Sequence, residues 1–127
     1  MSLQESGEMY LETILVLSKE KNEVRSIDVA NEMGFSKPSV SRAMSKLREE
    51  KYILMDKEGF IALTEKGRDV AEKIYERHVL LTMFLKRLGL SDEVASADAC
   101  RIEHVISDET FEAMKRHASA GNAKILT

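Results

Sequence analysis

Between Ser26 and Lys51 the chain reads SIDVANEMGFSKPSVSRAMSKLREEK, and this stretch restricts the possible folds more than any other. A helix following Ser26 is ended by Gly34. A second follows Ser36, with Pro38 inside its first turn, where a missing N–H costs little. Only the short link GFS separates them. Two helices joined by a short turn containing glycine, the second one basic, form a helix-turn-helix. Immediately afterwards, YILMDKEGFIALT places two short apolar runs around a turn with Gly59, the pattern of a β-hairpin. Upstream, Glu8 to Lys21 reads as an amphipathic helix with Leu11, Ile14, Leu15 and Leu17 on its apolar side and Ser6 as its cap. Met9 and Glu12, three residues apart, share a face of that helix. Helix, helix-turn-helix and hairpin in this order make a winged helix, so the fold class is mainly α.

The second half continues in helices. Thr64 caps a long helix from Glu65 to about Leu88, closed by Gly89, whose length is that of a rod joining two parts. Ser91 opens an acidic segment, and Ser107, followed by Asp108 and Glu109, opens a last helix. Beyond His117 the tail ASAGNAKILT carries weak signals and is expected to be loose. The expected division is a winged-helix unit over residues 1–64 and the long helix with a small helical unit over 65–127.

Charge separates the two halves. Lys37 to Lys51 holds five basic residues and two acids, whereas Asp92 to Glu112 holds seven acids and one base, Arg101, within a net charge of −3. The total argues against indiscriminate nucleic-acid binding; the local basic block argues for a specific one. A winged helix docks the start of its second helix in the major groove of double-stranded DNA, which places Ser36, Lys37, Pro38, Ser39, Ser41 and Arg42 near base edges and phosphates. Arg42 suits a base contact, while Ser39, Lys46, Arg25 and, in the hairpin turn, Lys57 suit phosphates. A solvated face in a protein-interaction module is the competing reading. One cysteine excludes an intramolecular disulfide. With no signal peptide and no apolar run approaching the ~18 residues of a membrane span, the expected compartment is the reducing cytoplasm.

That single cysteine lies in DACRIEHVISDE. If the segment is helical, Cys100, Glu103 and His104 converge on one face, and thiolate, carboxylate and imidazole together can bind a metal. Other readings stay open. The cysteine can be an inert small hydrophobe beside a solvated Glu-His pair, or a thiol redox switch with a lowered pKa. A small metal-dependent hydrolase would also need an open coordination position and a positioned general base, for which the sequence offers no separate pocket. Phe84, Phe111 and Tyr75 are expected in the core and a dimer interface rather than at a cofactor.

Four stretches together, EMYLETI, GFSKPSVSRAMSKL, LTEKGRDVAEKIYERH and DACRIEHVISDE, resemble the iron- and manganese-dependent repressors of the diphtheria toxin repressor family, over nearly the whole chain. The resemblance implies a winged-helix domain joined by a long helix to a small helical dimerisation domain, with metal at the junction. It implies that Met9, Cys100, Glu103 and His104 form a regulatory metal site, aided by a main-chain carbonyl near Cys100. His78 matches a metal-site position in both branches of the family, and Glu12 one in the manganese branch. The departures are Thr82 and Ser96, where the diphtheria-type ancillary site has an acid and a histidine, and Met9 and Cys100, where the manganese branch has carboxylates. The SH3-like third domain of longer members is expected to be absent. The expectation is therefore a homodimeric repressor, not an enzyme, that binds palindromic operator DNA when loaded with a divalent transition metal. Soft Met9 and Cys100 favour Fe²⁺, with Mn²⁺ the alternative.

Overall fold

The computed structural model describes residues 4–120, with side chains through residue 118. It contains six helices and a two-stranded hairpin among those residues. The first helix, α1 (Glu5–Glu20), starts earlier than its apolar pattern indicates, so Ser6 lies inside the first turn and does not cap it. Gln4 occupies the cap position without a side-chain bond; Glu5 and Glu8 in the first turn instead complement the positive end of the helix dipole. Leu11, Ile14, Leu15 and Leu17 are all buried, as their spacing requires.

Helix α2 (Ser26–Met33) is capped when the Arg25 N–H donates to the Asp28 carboxylate at 2.8 Å, and it ends at Gly34, whose φ of 70° is the left-handed conformation that glycine tolerates best. Helix α3 (Lys37–Glu49) is capped by Ser36 Oγ, which accepts from the Ser39 N–H at 3.3 Å. Its buried face is Val40, Met44 and Leu47. Strands β1 (Ile53–Met55) and β2 (Ile61–Leu63) pair antiparallel, with Ile53 opposite Leu63 and Met55 opposite Ile61. Asp56 closes their turn by accepting from the Glu58 and Phe60 N–H groups at 3.0 and 2.9 Å. The Ile61 N–H donates to the Val24 carbonyl at 2.7 Å, which ties the hairpin to the segment between α1 and α2.

Helix α4 (Glu65–Arg87) starts where Thr64 Oγ1 accepts from the Gly67 N–H at 3.1 Å, and the same hydroxyl donates back to the Lys51 carbonyl at 2.7 Å. The chain divides between Lys73 and Ile74 into two compact units. The second contains the later part of α4, then α5 (Asp92–Ile102) and α6 (Asp108–Ala120). Ser91 Oγ accepts from the Val94 N–H at 3.2 Å and Ser107 Oγ from the Thr110 N–H at 3.1 Å, so both predicted serine caps form. Ile74, Leu81, Ala95, Ala99 and Phe111 make its core, while Tyr75 and Phe84 are half-buried. Helix α6 runs past His117 to Ala120; the rest of the tail lies outside the described residues. No described helix is long and apolar enough to cross a membrane.

Candidate functional site

Within the first unit, α3 is oriented by Val40, Met44 and Leu47, and burying that face turns Ser41, Arg42 and Lys46 to solvent. Ser36 and Lys37 are exposed, as is Pro38, and Ser39 is half-buried. Arg42 Nη2 donates to Ser39 Oγ at 3.4 Å, and Ser36 Oγ donates to the same oxygen at 2.9 Å. No acidic residue stands in the first turn of α3. Exposed Arg25 lays its guanidinium carbon 4.4 Å from the Phe60 ring centroid, at the end of the hairpin turn that also carries exposed Lys57. A helix start with small hydroxyls and cations is chemically suited to phosphates and base edges.

In the second unit, α5 stops at Ile102, so the acidic segment is not helical throughout as its spacing indicated. Glu103 is the C-cap, but with φ −58° and ψ −25° it retains helical geometry, and the convergence expected of positions i, i+3 and i+4 survives the helix end. One ligand atom each from Cys100, Glu103 and His104 lies within 4.8 Å of the others. Cys100 is half-buried, and the Glu103 and His104 side chains are 0% and 1% exposed. This burial departs from the solvated Glu-His pair considered above.

Glu103 is the centre of the arrangement. His78 Nδ1 donates to its Oε1 at 2.8 Å, and His104 Nε2 lies 3.5 Å from Oε2. The hydrogen bond to the carboxylate holds the His78 imidazole above its ordinary pKa, against the opposing effect of its partial burial. Oε2 accepts no hydrogen bond among the described residues. A buried carboxylate oxygen left in this state is costly, and a cation relieves that cost. Thiol, carboxylate and imidazole within coordinating reach of one another therefore fit a divalent transition metal. Met9 and Glu12 lie on α1 in the first unit, both half-buried. Thr82 follows His78 on α4 and Ser96 lies on α5, and neither supplies a carboxylate or an imidazole.

Arg77 escaped the sequence reading. Its residue is 6% exposed, and its guanidinium reaches the Glu103 and Ile106 carbonyls and the Asp108 carboxylate. The available signal was periodicity: Ala71, Ile74, Arg77 and Leu81 mark one buried stripe, so an arginine occupies a core position.

Residues 2–60 match the family described as the iron dependent repressor, N-terminal DNA binding domain, and residues 64–119 match the iron dependent repressor, metal binding and dimerisation domain. The chain is 35% identical over 115 residues to an HTH-type transcriptional regulator of Methanocaldococcus jannaschii, covering 89% of this chain and 92% of that one. It is also 35% identical to the transcriptional regulator MntR of Escherichia coli, covering 91% of this chain and 74% of MntR. Among solved structures, the manganese regulator SloR matches with a TM-score of 0.79 at 30% identity over 94% of this chain, and the metal-dependent transcriptional regulator MtsR with 0.82 at 26% identity over 89%. The chain spans about half the length of these two solved chains, 55% and 53%. Matched in order by both domain families, and sharing a third of its residues with regulators along most of its length, the chain belongs to the iron-dependent repressor family.

Proposed function

We propose that the chain is a metal-activated, homodimeric transcriptional repressor that binds palindromic operator DNA. The observation that carries this reading is the buried Glu103 carboxylate, with one oxygen accepting no hydrogen bond among the described residues, between His78, His104 and Cys100. Cys100, Glu103, His104 and His78 would hold the metal, and the family resemblance adds Met9 and Glu12 from α1. When bound, a divalent ion supplies the positive charge that compensates the Glu103 carboxylate and the Cys100 thiolate.

The chain's own residues do the rest. Arg42 reads a base edge, and Ser39, Lys46, Arg25 and Lys57 hold phosphates. In a two-fold dimer the two copies of α3 must lie about 34 Å apart, or a multiple of that, to read both halves of a palindrome. A bound metal restricts the chain to the DNA-competent state, and apo protein binds more weakly by the fraction of time it spends there.

Thioether and thiolate donors favour Fe²⁺ over the harder Mn²⁺. Manganese is the second reading, favoured by relatives such as SloR that are manganese regulators. The deciding experiment is operator affinity, measured anaerobically at fixed salt with Fe²⁺, Mn²⁺, Co²⁺, Ni²⁺ and Zn²⁺ and with chelator. Metal is expected to raise operator affinity strongly and chelator to reverse it, whereas His104→Ala should abolish the response while keeping the helical circular dichroism. Equal affinity with and without every metal would overturn the reading.

A further inference from the structure

We propose that Arg77 is a positioning residue for the metal centre: it grips both ends of the turn from Glu103 to Asp108 and presets Glu103 and His104 for coordination. The proposal rests on the metal reading above. Within the turn, the Val105 and Ile106 N–H groups donate to the Ile102 carbonyl at 3.0 and 3.2 Å. Arg77 adds a hold from α4. Its Nη1 donates to the Glu103 carbonyl and to the Ile106 carbonyl, each at 3.0 Å, and its Nη2 to Asp108 Oδ1 at the start of α6. The guanidinium carbon lies 5.5 Å from the centroid of the Phe111 ring, which closes the remaining side.

Adjacent residues of α4 thus hold Glu103 at two points. Arg77 fixes its carbonyl and His78 its carboxylate. The planar fork serves three acceptors from two fixed nitrogens; an ammonium at the same place keeps the charge, but its three N–H donors radiate from one nitrogen and cannot reproduce that geometry. A buried arginine paired with Asp108 merely to support the core would leave the coordination geometry insensitive to its replacement. Groups that orient metal ligands typically change metal affinity by roughly 10–100-fold when lost.

The test uses the full chain and Co²⁺ as the probe, read by its ligand-field bands, by the thiolate-to-metal charge-transfer band, and by competition with a chelator. Cys100→Ser identifies the thiolate band, and circular dichroism monitors folding. Arg77→Lys is expected to weaken Co²⁺ binding by roughly 10-fold or more and to alter the ligand-field bands at saturation, with the helical signal kept. Asp108→Asn should shift both in the same direction by less. Wild-type affinity and bands in folded Arg77→Lys would overturn the proposal. If Arg77→Lys does not fold, Asp108→Asn decides by the same criterion. If wild-type protein shows no thiolate band that Cys100→Ser removes, the metal reading itself fails, and the positioning role fails with it.

Discussion

Arg42 and Lys46 stand one turn apart on the solvent side of α3, yet their chemistry assigns them different work. A guanidinium can donate two parallel bonds to a guanine edge, whereas an ammonium meets a phosphate as a point charge. Arg42→Ala is therefore expected to relax discrimination at one operator position by about 1–3 kcal/mol. Lys46→Ala should weaken all sequences alike and flatten the salt slope by about one unit. Binding titrations against single-base operator variants at several salt concentrations separate the two. A uniform loss from Arg42→Ala would mean that α3 is docked differently. Both side chains were legible in the sequence, because a basic residue opposite an apolar stripe needs only the helical period to place it. Glu103 was legible only as a ligand type, since its complete burial depends on what packs over it.

Among the elements, the joint between α3 and α4 brings two stretches of backbone close together. Lys51, a non-glycine residue at φ 68°, turns the chain out of α3, and the Lys66 ammonium donates to the Glu50 carbonyl at 3.1 Å while lying 4.1 Å from the centroid of the Tyr52 ring. Gly67 then packs so closely that a Cβ there would run into the Tyr52 carbonyl oxygen. Backbone cannot yield as a flexible side chain can, so Gly67→Ala should destabilise the first unit by about 1–3 kcal/mol. Thermal or urea unfolding followed by circular dichroism checks this, and an unchanged midpoint would show that the joint relaxes freely. The sequence marked Thr64 as the cap of α4 but could not mark Gly67, because the atom that excludes a side chain there is 15 residues away in the chain. The start of α1 differed for a milder reason: acidic residues near a helix N-terminus can stand in for a side-chain cap, so the first serine need not be the boundary.

For the whole molecule, the chemistry of the donor set should decide which metal drives repression. Met9→Asp combined with Cys100→Glu supplies carboxylates where the manganese branch of the family has them, and it leaves Glu12, His78, Glu103 and His104 in place. This double variant is expected to shift preference toward Mn²⁺ relative to Fe²⁺, read anaerobically as operator binding against free metal. An unchanged ratio in a chain that already prefers Mn²⁺ would assign selectivity to geometry that these two side chains do not set. The sequence by itself determined the presence of the helices, the caps at Thr64, Ser91 and Ser107, the hairpin turn and the basic face, because each depends on residues a few positions apart. Tertiary structure alone decided that His78 meets Glu103 across 25 positions, and that Arg77 reaches the Glu103 carbonyl across 26 and Asp108 across 31. Local periodicity specifies which face of a helix is buried, but it carries no information about which distant group meets that face, and the cost of burying Glu103 depends on that group.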